Sequence, residues 1–229
     1  MRLIVHPKLN PFYNMAVDES ILRSSTQETP PTLRFYEWEG TPVSIGYFQP
    51  AKTVKRLLSA RTLVRRPTGG GAVVHNGDIT FSLIFHESEF KMPVVESYRQ
   101  INLSIIKQIG LQKNLRLINT DNPAQKKQKQ PGLCFKEPTK YDIIWNNIKI
   151  GGSAQRRKNR IVLHQSSFFY KKCNLAKYTR SDYIQMIQQA VESLFDRDFS
   201  VQNLTSPEEK LANRLLTDRY SKSAWNYHR

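Results

Sequence analysis

The segment from Arg65 to Phe85, RRPTGGGAVVHNGDITFSLIF, puts three consecutive glycines at the head of a β-rich run and an Asn-Gly pair inside it. Glycine in a strand interior loses backbone entropy and packs nothing, so a triplet there answers a geometric demand: a tight bend, or a ligand lying against the main chain. Two phosphate-binding designs are excluded. A Walker loop needs Gly-Lys-Ser/Thr after its turn, and a dinucleotide fingerprint needs spaced glycines between a strand and a helix. These glycines lead into a strand, which predicts something slender beside the sheet. His75 follows just beyond, at the tip of the hairpin expected around Asn76-Gly77; a histidine so placed is more often structural than catalytic.

Hydrophobic periodicity supplies the frame. Asn10-Pro11 reads as an N-cap with proline at the first helical position, followed by Phe12, Met15, Ala16 and Leu22 near one face. TLRFYEW (32–38) and PVSIGYFQ (42–49) are strand-like and separated by three residues, which predicts a hairpin. AKTVKRLLSA (51–60) predicts a short helix. Tyr98, Ile101, Ile105 and Ile109 form a helical stripe ending at Gly110, a C-cap. YDIIW, IKIGGSAQ and RIVLHQSSFF predict three strands joined at Asn146-Asn147 and at the basic turn RRKN (156–159). Residues 181–195 predict a capped amphipathic helix, and Ser206-Pro207-Glu208-Glu209 opens another with capping-box chemistry. The polar, basic stretch 121–132 predicts a loop. No strict βαβ rhythm appears, so the predicted class is α+β, a mixed, mostly antiparallel sheet flanked by helices. A catalytic domain over residues 1–200 and a C-terminal helical extension over 201–229 are expected.

Composition narrows the partners. With 39% hydrophobic residues in 229, the chain can bury a core of its own. No window is long and apolar enough to cross a bilayer, and two cysteines make no disulfide framework, so no membrane role and a cytoplasmic setting are expected. The excess of 35 Lys+Arg over 19 Asp+Glu leaves a formal charge of +16. That charge suits nucleic acid or acidic proteins; the absence of any nucleic-acid-binding signature makes nucleic acid the weaker expectation.

RRPTGGGAVVH, preceded by NMAVDESIL and followed by KIGGSAQRR, resembles the lipoate-protein ligase and octanoyltransferase family, relatives of biotin-protein ligases. The resemblance spans about residues 1–195. It implies a biotin/lipoate protein ligase-like catalytic domain whose glycine-rich segment lines an acyl-chain tunnel, with Arg66, Gly69, Gly70, Gly71, His75, Gly152, Ser153 and Ala154 as acyl-binding residues. A side chain at Gly70 or Gly71 should then occlude the tunnel. It also implies that Lys149 reaches the acyl carbonyl, and that the product is an amide between octanoate or lipoate and one lysine of a carrier domain.

Two chemistries divide the family, and Cys134 bears on which applies. Ligases activate lipoate with ATP and Mg; octanoyltransferases take the acyl group from acyl carrier protein through a cysteine thioester and require no cofactor. Cys134 opens CFKEPTKYDI, similar to the cysteine loop of one octanoyltransferase branch, and lies fifteen positions before Lys149. A thiolate is the competent nucleophile and an ammonium beside it lowers the thiol pKa. Cys134 and Lys149 are therefore the expected catalytic pair, with no metal ligands. HNGDITFS after the glycines resembles the transferase form, whereas Gly71 and the LHQSSFF order around His164 depart from it and keep ATP-dependent ligation as the alternative. The implied partners are acyl carrier protein as donor, with lipoyl domains of 2-oxoacid dehydrogenases and the glycine cleavage H protein as acceptors. Lys126, Lys127, Lys129, Arg156, Arg157, Lys158 and Arg160 are candidates for steering them.

Overall fold

A computed structural model describes residues 1–90, 93–110, 114–118, 139–173 and 178–227. The main sheet holds eight strands: β1 (Arg2–Leu9), β2 (Thr32–Trp38), β6 (Ile79–His86), β7 (Leu115–Leu117), β8 (Ile143–Trp145), β9 (Ile148–Lys158), β10 (Ile161–Phe168) and β11 (Ser200–Val201). Their order is β11-β1-β2-β6-β10-β9-β8-β7, parallel only where β1 meets β11 and β2. A second sheet, β4-β3-β5, joins β3 (Val43–Ile45), β4 (Leu63–Arg65) and β5 (Val73–Val74).

Strand alternation sets the two faces of the main sheet. Phe81, Leu83 and Phe85 of β6 pack with α2 (Val94–Ile109) and α3 (Arg180–Phe195). Ile84, Ile161 and Leu163 point the other way, onto Val17 and Ile21 of α1 (Pro11–Ser24) and Ala212 of α4 (Ser206–Leu215). The helix ends follow local chemistry. Asn10 Oδ1 accepts from Phe12 N at 2.9 Å, and Gly110 ends α2 with φ +73°. The capping box of α4 is Thr205 with Glu208, so the cap stands one residue before the expected Ser206.

Neither of the two early hairpins forms. Both edges of β2 are occupied, by β1 and β6, and both edges of β6, by β2 and β10. β3 and β5 therefore pair in the second sheet, and the turns at Gly40 and Asn76-Gly77 carry the chain between sheets. Period-two alternation marks a strand but not its neighbour. The last turn is also displaced: Arg156, Arg157 and Lys158 belong to β9, and Asn159 and Arg160, at φ +50° and +65°, make the reversal.

Buried charge fixes α1 to the sheet. Arg34 donates to Asp18 Oδ1 at 2.6 Å, to Asn14 Oδ1 at 2.6 Å and to His6 Nδ1 at 2.9 Å. Burial, reinforced by the Arg34 charge, holds the His6 ring down at about 4. The carboxyl-terminal segment binds the second sheet. In α5 (Ser223–Tyr227), Asn226 Oδ1 accepts the Arg65 amide at 2.8 Å and Trp225 Nε1 donates to Arg65 O at 3.1 Å. The Arg65 guanidinium reaches the Trp225 carbonyl at 2.9 Å.

Candidate active site

The two sheets face each other across a cavity of about 40 Å³. Gly70, Arg66, Ser44 and His75 line it from the small-sheet side, and Gly152, Ser153 and Ala154 of β9 line it opposite. Met15, Tyr36, Trp38 and Val73 add apolar wall. Of the eight residues expected to bind an acyl chain, six line this cavity, and two members of the glycine triplet, Gly69 and Gly71, stand outside its lining. Cys134, with Lys126, Lys127 and Lys129, falls outside the described residues.

Arg66 shapes the glycine loop. Its Nη2 donates to Gly69 O at 2.7 Å and Gly71 O at 2.8 Å, and its Nη1 to Ser44 O and Oγ, both at 3.1 Å. Gly70 has φ +87°, where a side chain is strained, and an added Cβ would lie 3.0 Å from Arg66 Nη2 and 3.8 Å from Ala154 Cβ. The tightest approach involves a residue the sequence did not single out. A Cβ on Gly46 would stand 2.0 Å from Gly70 O, so backbone meets backbone there.

His75 is clamped. Its ring stacks on Trp38 with centroids 4.1 Å apart, Nδ1 lies 2.9 Å from Asp78 Oδ2, and Nε2 lies 2.8 Å from Ser44 Oγ. Asp78 is held below the usual carboxylate range: burial pushes it up, but the His75 contact and the Thr80 hydrogen bond outweigh that.

Lys149 owes its position to a bulge. The β8–β9 register shifts between Ile143 and Ile144, so Lys149 and Ile150 are both buried although adjacent. Lys149 Nζ pairs with Asp142 Oδ2 at 2.7 Å, and the same oxygen accepts from Thr139 N at 2.5 Å and Thr139 Oγ1 at 2.9 Å. Burial raises the Asp142 carboxyl, with Lys149 and Thr139 opposing. Gly152 makes room for this arm, since a Cβ there would lie 2.8 Å from Lys149 Cε. Asp142 escaped sequence reasoning; its signal was an acid in an otherwise apolar strand flank, YDIIW.

β10 adds two polar residues pointing in opposite directions. Gln165 spans the cavity wall, donating to Asp18 Oδ2 at 2.6 Å and accepting from Thr68 Oγ1 at 2.6 Å. His164 is fully buried; Gln155 Nε2 lies 3.0 Å from its Nδ1 and Ser166 Oγ lies 2.9 Å from its Nε2. Burial lowers this ring to about 3, so it is neutral in the folded chain. An unfolded histidine titrates at about 6.5, so the unfolded state takes up the proton first as pH falls. The His164 contribution is complete above that pH and is lost as pH drops toward the folded value. Chemical denaturation midpoints are expected to fall between pH 7 and pH 4, and less steeply in His164→Asn; equal slopes would show that His164 carries none of the dependence.

Residues 10–206 match the family model described as lipoyl protein ligase A/B catalytic domain. The octanoyltransferase LipM of Brevibacillus brevis is 30% identical over 276 residues, covering 100% of this chain and 99% of that protein. Among solved structures, a putative lipoate protein ligase from T. acidophilum superposes with a TM-score of 0.83 at 23% identity, covering 100% of this chain and 98% of the other. A lipoate-protein ligase A bound with ATP superposes with a TM-score of 0.80 at 23% identity over 98% and 97%. At these identities the two structures speak for the fold, which is the α+β arrangement expected from sequence.

Proposed function

Because the chain belongs to the lipoyl protein ligase A/B catalytic domain family, we propose that it is an octanoyltransferase of protein lipoylation. Residues 1–200 act as the catalytic unit, and beyond them the helices α4 and α5 brace it. The observation that carries this reading is the buried Lys149–Asp142 pair beside a cavity walled by Gly70 and Gly152. The similarity to an octanoyltransferase over the whole chain supports it.

The chemistry runs in two exchanges. The Cys134 thiolate attacks the carbonyl of octanoyl acyl carrier protein; a new thioester forms and the carrier thiol leaves with a proton. The ε-amine of a lipoyl-domain lysine then attacks that thioester, forming an amide and returning the Cys134 thiol. Lys149 supplies the positive charge that favours the thiolate, whose unperturbed pKa is about 8.5, and that stabilises the developing oxyanion. The first exchange trades one thioester for another and the second ends in a more stable amide, so ATP is not needed. Gly70 leaves its backbone bare to the acyl chain, with Gly152, Ser153 and Ala154 opposite. A free thiol nucleophile suits the reducing cytoplasm.

The test uses purified protein, octanoyl acyl carrier protein and no ATP. Intact mass is expected to show an octanoyl adduct that hydroxylamine removes and that Cys134→Ser lacks, and a lipoyl domain added afterwards is expected to gain the acyl group. Modification of the lipoyl domain only with lipoate, ATP and Mg, without any adduct, would establish the ligase chemistry instead.

A further inference from the structure

Between Glu39 and Asp78 the chain has no acidic residue and six cationic ones: Lys52, Lys55, Arg56, Arg61, Arg65 and Arg66. The last two are buried and turned inward; the other four are exposed. Lys52, Lys55 and Arg56 share the 3-10 helix Ala51–Leu57, where Lys52 and Lys55 stand one turn apart and Arg56 follows directly. Just before that helix stands Phe48, 85% exposed, more than any other large hydrophobic residue described.

A loose loop does not account for that exposure. Arg65 Nη1 donates to the carbonyls of Gly46, Tyr47 and Gln49 at 3.0, 3.1 and 2.7 Å, so one buried guanidinium grips the loop on both sides of Phe48. The Tyr47 ring meets Phe48 edge-on at 4.8 Å and Trp225 at 5.6 Å. A rigidly presented aromatic beside cations has the composition of a binding hot spot. The same loop reaches the cavity, since Gly46 touches the backbone of Gly69 and Gly70.

We propose that Phe48 with Lys52, Lys55 and Arg56 forms the docking face for the acidic carrier protein that delivers the acyl thioester. The proposal rests on the transferase reading above. Carboxylates one turn apart on a carrier helix would complement the three cations, and the aromatic ring would cover apolar surface beside them. The donor fits this face because its slender thioester arm must enter where the backbone is bare, at Gly70. A second basic group, Arg157, Lys158 and Arg160, lies on the β9–β10 hairpin of the other sheet and remains for the acceptor.

Cys134 acylation by two donors tests this: octanoyl acyl carrier protein, and octanoyl-pantetheine, which carries the same thioester without the protein. Phe48→Ala and the triple variant Lys52→Glu, Lys55→Glu, Arg56→Glu are expected to lower kcat/KM for the carrier donor at least about tenfold, through KM. With octanoyl-pantetheine both should stay within about twofold of wild type. Added salt should weaken carrier use by wild type more than by the triple variant. Wild-type behaviour of both variants with the carrier donor would overturn the docking face and leave the transferase reading standing. Equal loss with both donors would overturn it too, by placing the effect in the cavity, and loss confined to the lipoyl-domain step would assign the face to the acceptor. A wild-type protein acylated by neither donor would remove the transferase reading and the docking face with it.

Discussion

Gly46→Ala is expected to lower Cys134 acylation about a hundredfold or more and to reduce Tm, while Gly69→Ala leaves both near wild type. The difference comes from what each new methyl meets. At position 46 the Cβ would lie 2.0 Å from Gly70 O and 2.8 Å from the Gly69 carbonyl carbon; at position 69 nothing lies within 4 Å. Neither backbone can easily move aside. Arg65 Nη1 holds the Gly46 carbonyl, and Arg66 Nη2 holds those of Gly69 and Gly71. Main-chain bonds from Tyr47 N to Thr68 O at 2.8 Å and from Arg66 N to Ile45 O at 2.9 Å join the two segments directly. Overpacking usually costs about 1–3 kcal/mol where side chains can adjust, and a clash with pinned backbone exceeds that range. The displaced element is the cavity wall at Gly70, so acyl uptake should suffer more than the fold. Acylation rate and thermal unfolding of the two variants decide the matter; similar behaviour of the pair would refute the contact.

Asp142→Asn is expected to be the second large lesion. The change preserves shape and removes one charge from a pair whose side chains are 1% and 4% exposed. Breaking a buried pair by removing one partner costs about 3–5 kcal/mol, because the other group stays buried after the charge it was matched to has gone. Lys149 would lose the carboxylate that fixes its Nζ, and the proposed stabilisation of the Cys134 thiolate would go with that placement. Iodoacetamide alkylation of Cys134 followed against pH reads this directly: its midpoint should move up, with octanoyl transfer reduced about a hundredfold or more at pH 7. An unmoved midpoint would mean that Lys149 does not act on the thiol, whatever the loss of stability.

These two sites show how unevenly the chain discloses itself. Helix ends were readable because a cap is chemistry between near neighbours: Asn10 acts on Phe12, and Gly110 stops its own helix. Asn146-Asn147 announced a reversal for the same reason, since both residues tolerate positive φ, here +45° and +66°. Gly46 and Asp142 gave no comparable signal. An isolated glycine after VSI reads as an ordinary strand end, and the backbone it approaches, at Gly69 and Gly70, is more than twenty positions away. The Arg65–Asn226 bond, which spans 161 positions, is still less visible from local pattern.

The sequence by itself determined the α+β class, most helices and strands, and, through the glycine, NMAVDES and KIGGSAQ segments, the family. Periodicity and capping are local, and so are the short motifs by which a family is read. Tertiary structure alone decided which strands are neighbours, moving β3 and β5 out of the main sheet because β2 and β6 already had both edges filled. It also decided which glycine is indispensable and which acid holds Lys149, because close approach and the pairing of buried charge depend on distances through space that spacing along the chain does not encode.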